Sequence, residues 1–240
     1  MPITINGDGT VTGISAGGLP DGSISTADIA DDAVTLAKLS TTGTPGAGNF
    51  LRGDNSWQEA GGGAWNYIST AVASTSAYLE FTGFSSTYEQ YVCVLSNMRP
   101  ATDNMAIGCR FGNSSGQLSG NNYSMYVGKG QGSNGNYSAQ WGSSQNKMLI
   151  GPNGGNGTDE TLHAVCYIGR LPQASGTTLG IPGIHGTYRI NDPSGYQICG
   201  FLGGDAMSYG QATDMDRFYI LANSGNITSG RATLYGIAHS

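Results

Sequence analysis

Few short patterns in this chain could carry chemistry. Gly112-Asn113-Ser114-Ser115-Gly116 has the letters of a nucleophile elbow, where a strained strand-to-helix turn exposes a serine hydroxyl to a histidine base. Here a β-like run precedes the serine and Gly- and Ser-rich loops follow it, and no spacing brings His163, His185 or His239 to Ser114. Gly130-Gln131-Gly132-Ser133-Asn134-Gly135 matches the dinucleotide fingerprint in letters, yet no helix follows to offer its N-terminus to a pyrophosphate. Arg52-Gly53-Asp54 is too short to specify adhesion, and Gly-Asp is common turn chemistry. A pair of carboxylates for glycoside hydrolysis would have to come from Glu80, Glu89, Glu160, Asp103, Asp159, Asp205, Asp214 and Asp216, most of which stand among turn residues. Neither the spacing of an EF-hand loop nor the close Cys and His pairs of a zinc site occur. The expectation is a protein without catalytic residues, metal or cofactor.

Recognition chemistry is better represented. Asn121-Asn122-Tyr123, Tyr126, Asn136-Tyr137 and Gln140-Trp141 interleave aromatic rings with amides. Aromatic faces stack on the apolar faces of sugar rings while amides and hydroxyls serve the sugar hydroxyls. Tyr123, Tyr126, Tyr137 and Trp141 are therefore the candidate binding residues; the competing reading packs them inside a core or along a subunit seam.

The elements that must position them follow from composition. Of 240 residues, 40 are Gly and only 11% are charged, so turns and small polar side chains replace a charged helical surface and the chain reads as all-β. A net charge of −6, with ten Lys and Arg spread thinly, provides no basic stripe for nucleic acid or an anionic bilayer. No apolar run nears the ~20 residues of a membrane span, and the start lacks a basic and apolar leader, so the expected setting is a soluble compartment. On that footing the five sequons, at Asn113, Asn122, Asn136, Asn156 and Asn226, report Asn-, Ser- and Thr-rich text rather than glycosylation. Cys93, Cys109, Cys166 and Cys199 are far apart inside β-like runs and read as reduced small hydrophobes, with one disulfide left open.

Along the chain, residues 3 to 14 alternate around a Gly7-Asp8-Gly9 turn, a hairpin signature. Ser25-Thr26-Ala27-Asp28 is like a capping box, and Ile29, Ala33, Leu36 and Leu39 fall at helical spacing, predicting a helix of about 15 residues through Ser40. A lone helix of that length is marginal in water, so its apolar face predicts packing against copies of itself, with packing on its own head as the alternative. Residues 41 to 63 form a Gly-rich neck around Phe50, Leu51 and Trp57. From Ala64 onward period-two runs succeed one another, with apolar residues on both faces of 91 to 95 marking a central strand. About ten or eleven strands without a βαβ pattern predict a two-sheet antiparallel sandwich of jelly-roll kind over 64 to 240.

Two segments ahead of the head carry a resemblance. Gly22-Ser23-Ile24-Ser25-Thr26-Ala27-Asp28-Ile29-Ala30-Asp31-Asp32-Ala33-Val34-Thr35-Leu36-Ala37-Lys38-Leu39, followed by Gly48-Asn49-Phe50-Leu51-Arg52-Gly53-Asp54-Asn55-Ser56-Trp57, resembles a pattern of bacteriophage tail fibres and other virion appendages. The head is similar to a tail-fibre type at Tyr67 to Thr70, Phe81 to Phe84, Tyr88 to Tyr91, Ser224 to Gly230 and Leu234 to Gly236, while 112 to 160 match in composition only. The resemblance implies a homotrimer whose N-terminal residues 1 to 40 attach to other virion (tail or baseplate) proteins and trimerise through Ile29, Ala33, Leu36 and Leu39. It implies a head that adsorbs to host-surface polysaccharide, in a particle assembled in the host cytoplasm. The shaft is very short, so a capsid or collar decoration protein stays open, as does a polysaccharide-degrading tailspike.

Overall fold

The computed structural model describes residues 4–5, 7, 11–12, 24–59, 64–85, 87–131, 137–169, 182–191, 194, 196–206 and 215–237. The chain divides into two compact units, Met1–Gly62 and Gly63–Ser240.

In the first unit, β1 (Thr4–Ile5) pairs antiparallel with β2 (Val11–Thr12), as the alternation around Gly7 predicts. The predicted 15-residue helix does not form. Two short 3-10 turns, Thr26–Asp28 and Leu36–Lys38, stand in its place. The capping box exists, since the Ser25 backbone N–H and hydroxyl donate to Asp28 Oδ2 at 2.8 and 2.7 Å. Winding nevertheless stops at Ile29, which is extended with φ −106° and ψ 109°; beyond it Asp32 adopts a left-handed φ of 60°, and β-branched Val34 and Thr35 restart a helix poorly. Ile29 and Leu39 are exposed and Ala33 is half-buried, so these three are not packed into a core among the described residues. The neck holds a hairpin of β3 (Asn49–Leu51) and β4 (Trp57–Glu59), with Leu51 opposite Trp57. Arg52-Gly53-Asp54 is its turn: Asn55 N–H donates to Arg52 O at 2.9 Å, and Asp54 Oδ1 accepts from the Ser56 hydroxyl at 2.6 Å.

The second unit contains β5 (Trp65–Ser76), β6 (Leu79–Phe81), β7 (Gln90–Pro100), β8 (Ile107–Asn113), β9 (Gly116–Gln117), β10 (Tyr123–Gln131) and β11 (Tyr137–Gln145). After them come β12 (Met148–Leu149), β13 (Leu162–Gly169), β14 (Gly183–Asn191), β15 (Gln197–Asp205), β16 (Arg217–Ala222) and β17 (Ile227–Ile237). An eight-stranded antiparallel sheet runs β11-β10-β15-β14-β13-β7-β17-β5, and a five-stranded one runs β12-β8-β16-β6 with β9 paired to β8. This is the predicted antiparallel β-sandwich. Its jelly-roll-like character lies in repeated sheet switches, from β5 to β6, β6 to β7, β7 to β8, β9 to β10, β11 to β12, β12 to β13, β15 to β16 and β16 to β17. The last two strands close both sheets: β17 inserts between β5 and β7, and β16 between β6 and β8.

Side-chain parity builds the core. Along β13, Leu162, Ala164, Cys166 and Ile168 point in and are buried, whereas His163, Val165 and Tyr167 alternate outward. β7 is buried on both sides, as its two apolar faces predict: Tyr91, Cys93 and Leu95 join the inter-sheet core, and Val92 is covered on the outer face, where its cross-strand neighbours are Tyr167 and Tyr235. All four cysteines are free. Cys93 and Cys166 sit directly opposite each other in the core, and burial pushes the Cys166 thiol up to about 12.

Candidate functional site

The four aromatic candidates separate into one core residue and three surface residues. Tyr123 is fully buried, which corrects its assignment to a binding face. The reason is a gap in a ladder. β8 pairs with β12 at Gly108 and Cys109 and with β9 at Gly112 and Asn113, leaving Phe111 between them. The Tyr123 hydroxyl fills that gap, accepting from Phe111 N–H at 3.1 Å and donating to Leu118 O at 2.8 Å.

Tyr126, Tyr137 and Trp141 are 42, 61 and 78% exposed and face outward from the eight-stranded sheet. Val127 is buried in the core, so its neighbours Tyr126 and Gly128 must point the other way. Register then places Trp141 opposite Tyr126, Ala139 opposite Gly128 and Tyr137 opposite Gly130. On the other side of β10, Phe201 of β15 lies opposite Gly128 and is 59% exposed. Four exposed aromatic side chains thus occupy one face of three adjacent strands, β11, β10 and β15. None of them is packed in the sandwich core.

Gly128 sets the shape of this face. A Cβ there would lie 2.5 Å from the Tyr137 hydroxyl and 3.1 Å from that of Tyr126, so only glycine lets both rings lean over the strand. The two hydroxyls bond each other at 2.9 Å above it, and from the inner face the Tyr188 hydroxyl donates to Gly128 O at 3.0 Å. The bond to Tyr126 holds the Tyr137 phenol above its ordinary pKa, with desolvation second; burial does the same for Tyr188. Both stay protonated near neutrality and serve as donors or acceptors.

The polar partners expected beside these rings are not all on this side. Gln140 has the opposite parity and faces inward, Asn122 lies in the loop before β10, and Asn136 lies outside the described residues. Phe201 was not singled out in the sequence. Its parity, odd against the buried Ile198 and Leu202, is the signal that marks it as outward. A separate aromatic group packs on the same outer face, with Trp65 and Tyr67 each against Tyr235 at 5.7 and 6.3 Å and Tyr167 stacked on His185 at 5.2 Å.

The enzymatic patterns take structural positions. Ser114 belongs to the tight turn joining β8 to β9, where Ser115 N–H donates to Asn113 Oδ1 at 2.9 Å. Glu80 accepts from Arg217 and, at 3.0 Å, from the Tyr219 hydroxyl, while Glu160 accepts from Gly157 N–H at 2.6 Å. Asp214, His239 and residues 132 to 135 of the Gly-rich pattern lie outside the described residues. Among the described residues, no three His, Cys, Asp or Glu side chains converge as a metal site, and no helix is long and apolar enough to cross a membrane. Compared with protein-family models, curated proteins and solved structures, the chain matches none.

Proposed function

We propose that this protein is a bacteriophage virion appendage, a homotrimeric tail fibre that adsorbs to a host-surface glycan through the face formed by Tyr126, Tyr137, Trp141 and Phe201. The observation that carries the reading is four exposed aromatic side chains on one face of three adjacent strands, with two phenolic hydroxyls between them. Exposed rings on a β-scaffold present flat apolar surface at low cost in conformational entropy, and a pyranose has a matching apolar face. The pattern at 22–39 and 48–57 supports the virion context, and the exposed Ile29 and Leu39 are consistent with partners from further copies of the chain. In this reading residues 1–40 trimerise and attach the fibre to tail or baseplate proteins. Three weak sites on one trimer, repeated around a tail, bind far more tightly than one.

The test is binding of the fluorescently labelled full chain to a panel of intact bacterial strains, with oligomeric mass measured by light scattering on the same sample. The expected result is a trimer that binds particular strains, loses binding after periodate oxidation of surface sugars, and is weakened by Trp141→Ala. A trimer that ignores every strain would favour a capsid or collar decoration protein, and release of reducing ends from purified polysaccharide would favour a tailspike.

A further inference from the structure

The inner side of the same edge hairpin holds a second feature. A cavity of about 540 Å³ is lined by Asp103, Asn104, Lys129, Gln140, Asn153 and Ile198, within the range of small-ligand sites. It exists because the outer edge of the eight-stranded sheet forms an overhang. The inward residues of β11, Ser138 and Gln140, remain exposed, and Lys129 shares their side of the sheet. The facing wall comes from the β7–β8 loop, with Asp103 and Asn104, and the β12–β13 loop, with Pro152 and Asn153. That wall is pinned: Met105 and Gly154 exchange two backbone hydrogen bonds of 3.1 Å, and Asn156 Nδ2 donates to Ala101 O at 3.2 Å.

Two properties of the lining specify a ligand. The side chains of Asp103, Asn104, Lys129, Gln140 and Asn153 make no hydrogen bond or ion pair among the described residues, whereas Ser194, which also lines the cavity, has a partner of its own. Lys129 is moreover partly buried and forms no ion pair among the described residues, in a chain that has only ten Lys and Arg, whereas Asp103, in the same lining, is exposed and solvated. A partly desolvated ammonium gains more from an incoming anion than an exposed carboxylate gains from a cation.

We propose that this cavity is a second sugar subsite that takes a carboxylated hexose. The sugar carboxylate lies against Lys129, the hydroxyls meet the amides of Asn104, Gln140 and Asn153 and the Asp103 carboxylate, and Ile198 supports the apolar ring face. The sugar class rests on the adhesin reading above, while the residues are separate from the aromatic face. One edge hairpin then presents stacking chemistry on its outer side and charge-selective chemistry on its inner side.

The experiment titrates the full chain with sodium D-glucuronate and, separately, D-glucose, reading Kd by protein-observed NMR. A millimolar Kd for glucuronate, at least tenfold tighter than for glucose, is expected, as is a tenfold or greater loss in Lys129→Met. Asn153→Asp, which puts a carboxylate into the cavity without touching the lysine, should also lose glucuronate, and Trp141→Ala should not. Thermal midpoints of all variants check folding. Equal affinity for the two sugars, a glucuronate Kd unmoved by both cavity variants, or no glucuronate binding at all would overturn the subsite. If the subsite fails while Trp141→Ala still weakens cell binding, the adhesin reading survives alone; if cell binding also fails, both fall.

Discussion

Replacing Tyr123 by Phe removes one oxygen atom and separates the core role of this residue from a binding role. The ring stays buried, but Phe111 N–H loses the acceptor at 3.1 Å and Leu118 O loses the donor at 2.8 Å. Phe111 is fully buried and lies in the interval of β8 that neither β12 nor β9 pairs, so no strand replaces the lost partner. An orphaned buried donor costs about 1–3 kcal/mol. A unit of this size loses roughly 2–4 °C in Tm per kcal/mol, so Tm should fall by about 2–12 °C. The assay is calorimetry on the full chain, with Tyr126→Phe as the comparison. Tyr126 is 42% exposed and, among the described residues, its hydroxyl bonds within the surface pair, so its loss should change stability by less than about 0.5 kcal/mol. An unchanged Tm in Tyr123→Phe, or a fall as large in Tyr126→Phe, would refute the assignment of the two tyrosines to core and surface.

Other expectations follow from the same geometry. The Arg217 guanidinium, bonded to Glu80 and helped by the Tyr219 hydroxyl, holds the Glu80 carboxyl below its usual range. A carboxylate depressed by folding contributes stability above its unfolded pKa of about 4.3 that is lost as pH falls through the folded value. Urea unfolding from pH 6 down to 3 should therefore show a steeper acid loss in the native protein than in Glu80→Gln, and equal slopes would contradict the pairing. Of the four thiols, Cys199 alone is exposed, and burial raises the other three, so a thiol reagent should label one cysteine per native chain quickly and four after denaturation. Ending the chain at residue 226 deletes β17 from between β5 and β7, and the product should show no cooperative thermal transition; a cooperative one would mean that the two flanking strands close without it.

The class of fold was legible from the chain alone because period-two alternation is local. Leu162 to Gly169 reads as a half-buried strand from its own letters, and β7 reads as central because both of its faces are apolar. The hairpin turn at Arg52-Gly53-Asp54 was legible for the same reason, since turn chemistry is settled within four residues. Helical spacing over 25–40 misled, because Ile29, Ala33, Leu36 and Leu39 suit one face of a helix while Ile29 turns extended, Asp32 is left-handed, and Val34 and Thr35 resist continuous winding.

The candidate site was half legible. Residue type marked Tyr126, Tyr137 and Trp141 as chemistry worth having, and alternation alone makes Tyr126 and Val127 face opposite ways. Type could not tell Tyr123 from Tyr126, because their difference is a gap in the β8 ladder made by strands that meet only in three dimensions. Nor could it join Phe201 to the aromatic face or bring Lys129 and Asn153 to one cavity, since cross-strand register and the overhang of one sheet past another are long-range properties. Composition and periodicity determined that this protein is a β-sandwich rich in surface aromatics and amides; pairing between distant strands decided which of those side chains share a face, because a one-residue shift of register would turn every one of them over.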